Sequence, residues 1–428
     1  MRIAVIGAGW AGLAAAVELA AARARVTVFE AAREPGGRAR SLRREARVLD
    51  NGQHILAGAC TETLRAMRRV GVDPERALLR IPLSIETPGG LRLRAWRLPA
   101  PLNLAAGLAG ARGLSLASRI AAARLLATVR RGEPQSGDEP TVAGWLARRG
   151  QAGEPARLLW EPLCRAALNT PPQLASARVF ARLLRETLCA AREASDLLLP
   201  RAPLGELFPA PALRFVLSHG ASFHASAPIR AIAPAGGGFR LEGDRHADVY
   251  DGIIVATAPR SAARLLAALP GARSALARIE GLAFHPIATI FLQYPPELRL
   301  PAVMIAGDGE GADWYFDRGR LEGPAGLVAA VISADAERMT PAGAALAARA
   351  HAGLARLLGA LPPPSWSFTL VEKRAGFSCT PALARPGNES GVAGLWLAGD
   401  YTDSAYPATI ESAVSSGGAA ARLALARH

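Results

Sequence analysis

Three glycines near the amino terminus have the spacing of a phosphate-binding turn. They stand at positions 7, 9 and 12, between a short apolar segment and an alanine-rich one, and Glu30 closes the next apolar segment. The first glycine permits a tight turn, the second lets the backbone approach a pyrophosphate, and the third lets helix and strand pack closely. The helix amino terminus adds free N–H groups. An isolated turn of this type is often an ordinary loop, but this context predicts an adenine dinucleotide site. Its residues are Gly7, Gly9, Trp10, Ala11, Gly12 and, on the ribose, Glu30.

A second glycine pair, Gly36 and Gly37, is followed directly by Arg38. Adjacent glycines let a loop pass close to a ligand, and a guanidinium can bind phosphate through two hydrogen bonds. By itself the segment is typical of a surface turn. Its position just after the first turn predicts that Gly37 and Arg38 contact the same ligand.

A third motif lies near the carboxyl end. Gly399 and Asp400 follow an apolar segment, and a helix of small residues is predicted from about residue 407 onward. With the two glycine segments, this motif resembles the FAD-binding amine oxidase and phytoene desaturase superfamily. The resemblance implies an FAD cofactor whose ribityl chain bonds to Asp400. It also implies that the helix start at Thr409 and Ile410 points at the flavin, where the helix dipole stabilises the reduced ring.

Four middle segments resemble one family of that superfamily, the hydroxysqualene dehydroxylases of hopanoid biosynthesis. They are residues 50–54, 159–164, 167–171 and 194–200. The resemblance runs nearly end to end and implies reduction of hydroxysqualene to squalene by reduced FAD. One departure is Arg23, where relatives usually have a helix-ending glycine. It affects the expected helix cap and leaves the nucleotide site unchanged.

The implied reaction needs an acid that protonates the departing hydroxyl group before hydride reaches the substrate. A proton donor must lie within hydrogen-bond reach of the leaving oxygen. The candidates are Asp50, His54, Tyr401 and Asp403. The turn of residues 50–54 can line the flavin edge, hold a substrate hydroxyl, or bond only to itself beside the cofactor loop.

Positioning these groups requires an α/β fold. Residues 2–6, 11–22 and 25–30 predict a β-α-β unit and hence a parallel sheet. The expected architecture is a Rossmann-like FAD-binding domain of the GR2-type flavoproteins, with a helical insertion and a second sheet-bearing substrate lobe. We expect the FAD domain to consist of three parts, residues 1–85, 206–262 and 376–428. The helical insertion is expected to span residues 86–205, and the substrate lobe residues 263–375.

Composition narrows the classes of partner. The formal charge is +14, but Lys373 is the only lysine, the arginines are dispersed, and aromatic residues make up 5% of the chain. Nucleic-acid binding expects clustered basic residues with interleaved aromatics, so no nucleic-acid partner is predicted. Four cysteines without a C-x-x-C pair, and histidines without ligand spacing, predict no metal site and a cytoplasmic location.

A C30 polyisoprenoid substrate predicts a long apolar pocket, which the insertion and the second sheet can provide. No apolar run reaches the roughly 20 residues that span a bilayer. Because the substrate is water-insoluble, we expect peripheral contact with the inner face of the cell membrane through residues 99–130, which can instead form a packed lid. Other squalene-pathway enzymes are candidate partners. No second dinucleotide turn is evident, which favours an external electron donor or a transiently bound nicotinamide.

Three alternatives fit the same cofactor motifs. A carotenoid- or phytoene-type desaturase would move hydride from substrate to oxidised flavin. A flavin amine oxidase would need an aromatic cage, for which Trp396 and Tyr401 are the available residues. A non-catalytic flavoprotein would bind FAD only as an assembly partner of isoprenoid enzymes.

Overall fold

The computed structural model describes residues 1–45, 47–87, 90–132, 139–243, 248–340, 343–404 and 406–427. Its strands are β1 (Arg2–Ile6), β2 (Arg25–Phe29), β3 (Ser41–Arg44), β4 (Arg47–Asp50), β5 (Leu56–Ala57), β6 (Leu78–Ile81), β7 (Ser84–Glu86), β8 (Arg92–Arg94), β9 (Leu197–Pro200), β10 (Ser222–His224), β11 (Ile229–Ala235), β12 (Gly238–Gly243), β13 (Val249–Tyr250), β14 (Gly252–Val255), β15 (Phe284–Gln293), β16 (Met304–Ala306), β17 (Trp314–Asp317), β18 (Leu327–Ser333), β19 (Trp366–Phe377) and β20 (Leu395–Leu397).

The α-helices are α1 (Trp10–Ala21), α2 (Thr61–Arg69), α3 (Pro74–Ala77), α4 (Leu102–Ala109), α5 (Leu116–Arg131), α6 (Val142–Arg148), α7 (Glu161–Leu168), α8 (Ala177–Leu188), α9 (Leu204–Leu207), α10 (Pro209–Ser218), α11 (Pro259–Leu266), α12 (Arg273–Glu280), α13 (Ala344–Leu358) and α14 (Ile410–Ala426). A π-helical turn covers Ala156–Trp160, and short 3-10 turns cover Arg192–Ser195, Pro270–Ala272 and Arg318–Arg320.

The central sheet has five parallel strands in the order β10-β2-β1-β14-β20. Its strands come from the amino-terminal, middle and carboxyl-terminal parts of the chain. Strand β14 is apolar and fully buried, as strands covered on both faces are. Helices α1 and α14 pack against each other so closely that a Cβ atom at Gly417 would lie 2.1 Å from the Ala11 carbonyl oxygen. The predicted parallel α/β fold is confirmed.

Helix α1 ends in a left-handed residue that is not glycine. Arg23 has φ 62°, its N–H donates to the Ala20 carbonyl, and Ala24 N–H donates to the Leu19 carbonyl. These bonds satisfy carbonyls that the last helical turn leaves free. The cap therefore forms, although an L side chain occupies the position that favours glycine.

A second sheet of five antiparallel strands, in the order β16-β17-β18-β15-β19, forms a separate lobe. Side chains alternate between the two faces of each strand. On β15, Ala288, Ile290 and Leu292 pack into a core with helix α13. Ile287, Thr289 and Phe291 therefore point to the other face, toward the rest of the molecule.

Helices α4 to α8 form the insertion between β8 and β9. Their inner side chains, which include Leu104, Leu108, Leu125 and Trp160, belong to one large core. Trp160 donates its ring N–H to the buried Gln151 amide. Trp160 therefore packs inside the insertion. The boundaries assigned to the insertion and to the two lobes stay predictions.

Candidate active site

A cleft of about 830 Å³ runs along the carboxyl-terminal edge of the central sheet. Ligands of open α/β sheets bind at this edge. Eleven of the twelve predicted cofactor-binding residues line it: Gly7, Gly9, Trp10, Ala11, Glu30, Gly37, Arg38, Gly399, Asp400, Thr409 and Ile410. The twelfth, Gly12, lies behind the turn. A Cβ atom there would be 1.9 Å from the Gly7 carbonyl oxygen, so Gly12 allows close helix packing.

The glycine turn leaves room on its cleft side. Gly7 has φ +106°, and a Cβ atom on it would meet the Ala256 carbonyl oxygen at 2.6 Å. A Cβ atom on Gly9 would find its nearest neighbour, the Gly37 Cα atom, at 3.8 Å. Packing within the protein therefore explains Gly7, whereas the space at Gly9 opens into the cleft. That space fits the close approach of a pyrophosphate, as FAD requires.

Glu30 stands at the far end of the turn with its carboxylate held by the backbone. Its two oxygens accept hydrogen bonds from Ala8 N–H at 2.7 Å and Ala32 N–H at 2.8 Å. The carboxylate is therefore fixed at the cleft wall, where a ribose hydroxyl can donate to its remaining lone pairs.

Arg38 joins two predicted cofactor segments. Its guanidinium donates to Asp400 Oδ1 at 2.5 Å and to the Ala375 carbonyl oxygen at 2.7 Å. Burial acts to lower the pKa of Arg38, but the adjacent Asp400 carboxylate outweighs burial and raises that pKa. These bonds place Arg38 between Asp400 and the second lobe, where it orients the Asp400 carboxylate. Its contact with a cofactor phosphate stays a prediction.

The amino terminus of α14 faces the cleft at Thr409 and Ile410. Thr409 and Ser412 form a reciprocal capping box, in which each side-chain oxygen accepts the other residue's backbone N–H. Glu411, which follows Ile410, points away from the cleft, and its carboxylate accepts hydrogen bonds from the N–H groups of Glu62 and Thr63 at the start of α2. The helix start is therefore rigid, and its dipole is directed at the cleft.

A second cavity, of about 350 Å³, adjoins the cleft and has a predominantly apolar surface. Its walls are α7 and α8 of the insertion, the turn of residues 51–57, and all five strands of the second sheet. The residues it shares with the cleft are Arg38, His54, Ala375, Ala408, Thr409 and Ile410. The predicted pocket between insertion and second sheet thus meets the cofactor cleft. Its walls carry more polar groups than expected, including Gln53, Asn169, Thr187, Thr289, Ser333 and Glu372.

The four candidate acids separate into two pairs. Asp50 is buried behind the cavity, where it bonds Ser41, Leu204 N–H and Arg318. Asp403 is exposed and lies 3.5 Å from Arg385, away from both spaces. Tyr401 lines the cleft and His54 lines both spaces. Only the second pair faces the cofactor cleft.

Burial sets the protonation of that second pair. It raises the pKa of Tyr401, whose buried hydroxyl has no partner among the described residues, so the phenol keeps its proton. Burial lowers the pKa of His54 more than the nearby Asp50 carboxylate and a hydrogen bond to the Asn51 backbone raise it. His54 is therefore a neutral imidazole at pH 7.

Arg318 holds the turn that carries His54. It is buried, donates to Gln53 Oε1 at 2.5 Å and to Asp50 Oδ2 at 3.0 Å, and also contacts Glu322. Sequence reasoning missed this residue because it lies far along an arginine-rich chain, without a local motif. Its two contacts on the turn determine how His54 meets the cavity.

Neither a metal-binding cluster nor an aromatic cage of Trp396 and Tyr401 is found among the described residues. Within the described ranges, no group of three or more His, Cys, Asp or Glu residues is arranged to hold a metal, and His246 and His428 lie outside those ranges. Trp396 is buried in the core around the central sheet and lines neither space, so it does not form an aromatic cage with Tyr401.

Comparison with known proteins agrees with this geometry. Residues 10–425 match the family model of flavin-containing amine oxidoreductases. The chain is 32% identical to hydroxysqualene dehydroxylase of Rhodopseudomonas palustris, over 99% of this chain and 98% of that one. It is 30% identical to the Sinorhizobium fredii enzyme of the same name, over 98% and 97%. The solved cyclohexylamine oxidase of Brevibacterium oxydans has a similar fold, with a TM-score of 0.69 and 19% identity over 100% of this chain and 99% of that one.

Proposed function

Because the chain belongs to the flavin-containing amine oxidoreductases, and within them to the hydroxysqualene dehydroxylase family, we propose that it reduces hydroxysqualene to squalene. It is an FAD-dependent oxidoreductase. The observation that carries the proposal is the apolar cavity that joins the cofactor cleft at His54. A mainly apolar pocket, with Arg38 and His54 at its junction with the cleft and further polar groups along its walls, can take a hydrocarbon chain bearing one hydroxyl.

The residues of the cleft fit FAD. The glycine turn would hold the pyrophosphate, Glu30 the adenosine ribose and Asp400 the ribityl chain, while the start of α14 would face the flavin. When bound and reduced, FAD supplies a hydride. The chain itself must hold the substrate carbon near the cleft, exclude water, and deliver one proton to the leaving hydroxyl. One hydride and one proton then convert the alcohol into the hydrocarbon and water, which balances the reaction.

His54 and Tyr401 are the proton-donor candidates that the site supports. Both face the cofactor cleft, and only His54 also faces the cavity. The raised pKa of Tyr401 keeps a proton on the phenol, whereas neutral His54 can donate only its ring N–H. Asp50 is excluded from direct contact by its position behind the cavity.

The decisive experiment is anaerobic mixing of dithionite-reduced protein with hydroxysqualene. We expect the oxidised flavin spectrum to return and squalene to be extracted in equal amount. Reduced protein mixed with squalene is the control and should stay reduced. Failure of the reduced flavin to reoxidise would overturn the proposal. Bleaching of oxidised flavin by a polyene or by an amine would instead favour a desaturase or an amine oxidase.

Peripheral membrane contact is a further part of this proposal. Of the nine large apolar side chains that are exposed among the described residues, five lie between residues 96 and 120: Trp96, Leu98, Leu102, Leu116 and Ile120. Exposed arginines at positions 97, 112 and 124 lie in the same region of the chain. Apolar side chains with adjacent arginines favour the interface of an anionic bilayer. No helix within the described ranges is long and apolar enough to cross a membrane.

A flotation assay with point variants tests this contact. Deleting residues 99–130 would remove core residues such as Leu104 and Leu125, so substitution is the better probe. We expect Leu102→Ser with Leu116→Ser to reduce flotation with phosphatidylglycerol vesicles several-fold, because both side chains are more than half exposed. Leu217→Ser, at an exposed leucine on α10, is the matched control. Equal flotation of all three proteins would contradict the proposed surface.

A further inference from the structure

Thr289 is a buried hydroxyl without a partner on the floor of the cavity. It lies in the middle of β15, has 0% exposure, and its Oγ1 has no hydrogen bond among the described residues. Its cross-strand neighbours are Val331 and Leu370, which are apolar and line the same cavity. Among the described residues, no polar group of the sheet bonds this hydroxyl.

An unbonded buried hydroxyl is unfavourable, because it loses its hydrogen bonds to water and gains none in return. Valine has nearly the same shape and β propensity, and it would fill this position without that penalty. Packing therefore does not account for threonine here. A ligand that brings its own hydrogen-bonding group to Thr289 does account for it.

The atoms around Gly52 show where that group would lie. Gly52 has φ +103° and sits in the turn that faces β15. A Cβ atom built on it would have two heavy-atom neighbours within 4 Å, His54 Nε2 and Thr289 Oγ1, each at 3.7 Å. Both are ordinary contact distances, so His54 Nε2 and Thr289 Oγ1 both lie beside Gly52, and we call the part of the cavity between these two atoms the niche. All three residues line the cavity.

The niche suits a hydroxyl group rather than a charged group. Thr289 can donate and accept, and neutral His54 has one nitrogen of each kind. A buried cation or anion would need an opposite charge, and neither Thr289 nor neutral His54 supplies one. Since His54 also lines the cofactor cleft, a hydroxyl held in the niche lies at the junction of the two spaces.

We propose that Thr289 and His54 form the binding site for the single hydroxyl of the hydrocarbon substrate. This inference rests on the proposed function and deepens it. The pair selects the alcohol over the hydrocarbon product and places the carbon that bears the hydroxyl at the entrance to the cofactor cleft. Thr289 binds the substrate and is not assigned a proton transfer.

The test is equilibrium binding of hydroxysqualene and of squalene to oxidised, FAD-loaded protein, monitored through the absorption spectrum of the flavin. We expect wild-type protein to prefer the alcohol by about tenfold or more, the effect of one well-made buried hydrogen bond. Thr289→Val should reduce this preference several-fold, leaving the share that His54 supplies, while squalene affinity and thermal stability are kept. Thr289→Ser, which retains the hydroxyl, should preserve the preference.

Thr187→Val is the matched control, because Thr187 lines the same cavity but its hydroxyl already donates to the Leu183 carbonyl oxygen. It should leave the preference unchanged. If wild-type protein prefers the alcohol and Thr289→Val does so equally, the niche is wrong and the proposed function stands. If Thr289→Val and Thr187→Val both lose the preference for the alcohol, the niche is also wrong. If wild-type protein shows no preference, the niche is wrong, and the proposed function is decided by the reoxidation experiment alone.

Discussion

Two of the buried carboxylates that bond an arginine lie beside different spaces of the site. Asp400 and Arg38 lie in the cofactor cleft, whereas Asp50 and Arg318 lie behind the substrate cavity. A buried charge without its partner is strongly unfavourable. Each arginine therefore stabilises the fold and also fixes a loop that carries site residues.

Replacing Arg318 should lower stability far more than replacing a surface arginine. Arg318→Met leaves Asp50 and Glu322 without their cation, and we expect a loss of about 3 to 5 kcal/mol in the free energy of unfolding. Arg65→Met is the control, since Arg65 pairs with Glu62 at an exposed position on α2 and should cost less than about 1 kcal/mol. Denaturant titration of both variants would measure the difference, and equal losses would contradict the structural role of Arg318.

Gly9 and Gly12 should separate cofactor binding from folding. A methyl group on Gly9 meets nothing closer than 3.8 Å, and φ −73° is ordinary for alanine, so the Gly9→Ala apoprotein should keep its melting temperature. Its affinity for FAD should fall by at least about tenfold, because the methyl enters the pyrophosphate space. Gly12→Ala, whose methyl would meet the Gly7 carbonyl oxygen, should instead melt well below wild type without any cofactor. Unchanged FAD affinity in Gly9→Ala would exclude this use of the turn.

His54 should make stability depend on mildly acidic pH. Burial lowers its folded pKa below the ordinary 6.5, so the unfolded chain binds this proton more readily. Its contribution is constant above about pH 6.5 and becomes destabilising as pH falls below that value toward the folded pKa. As the pH is lowered from 8 to 5, the free energy of unfolding of wild type should therefore fall relative to that of His54→Gln, as unfolding curves of both proteins would show. A stability difference independent of pH would contradict the assignment.

Sequence motifs predicted one half of the site and missed the other half for a physical reason. The glycine turns and the Gly399-Asp400 segment are short, and each has a backbone requirement that is visible in neighbouring residues. Thr289 and Arg318 lie in an ordinary strand and in a short turn after another strand. Their roles depend on contacts with the turn of residues 50–54, and such long-range contacts leave no local pattern.

At the scale of elements, helix α1 shows how one residue can be suboptimal without harm to the site. Arg23 adopts φ 62°, a region that is unfavourable for residues with a Cβ atom. Sequence comparison with the family suggested that this cap was in doubt, and the structure shows that the cap bonds form. The strain is local and lies at the end of the helix away from the cleft.

Arg23→Gly should therefore stabilise the protein by about 1 kcal/mol. Cofactor affinity should not change, because the substitution lies at the opposite end of α1 from the glycine turn. Arg25→Gly, at an exposed strand position two residues away, is the control and should lose roughly 0.5 to 1 kcal/mol. Differential scanning calorimetry would distinguish the two, and a loss of stability in Arg23→Gly would contradict the left-handed cap.

At the scale of the whole molecule, the parallel sheet was predictable because its first β-α-β unit is contiguous in sequence. The three additional strands, β10 and β14 from the middle and β20 from the last part of the chain, followed from the family resemblance, since periodicity alone does not say which strands pair. The cavity needed the structure, because its walls come from the insertion, the second sheet and one turn. Their relative placement is a result of packing over long sequence separations.

The order of the sheet also has a consequence during protein synthesis. The glycine turn is synthesised long before β20 and α14, and α14 packs on α1 through Gly417. Until β20 and α14 are made, the edge of β14 and the face of α1 that α14 covers stay exposed. We therefore expect flavin capture to wait until β20 and α14 have been synthesised and have packed on β14 and α1. A chain truncated before β20 should purify colourless.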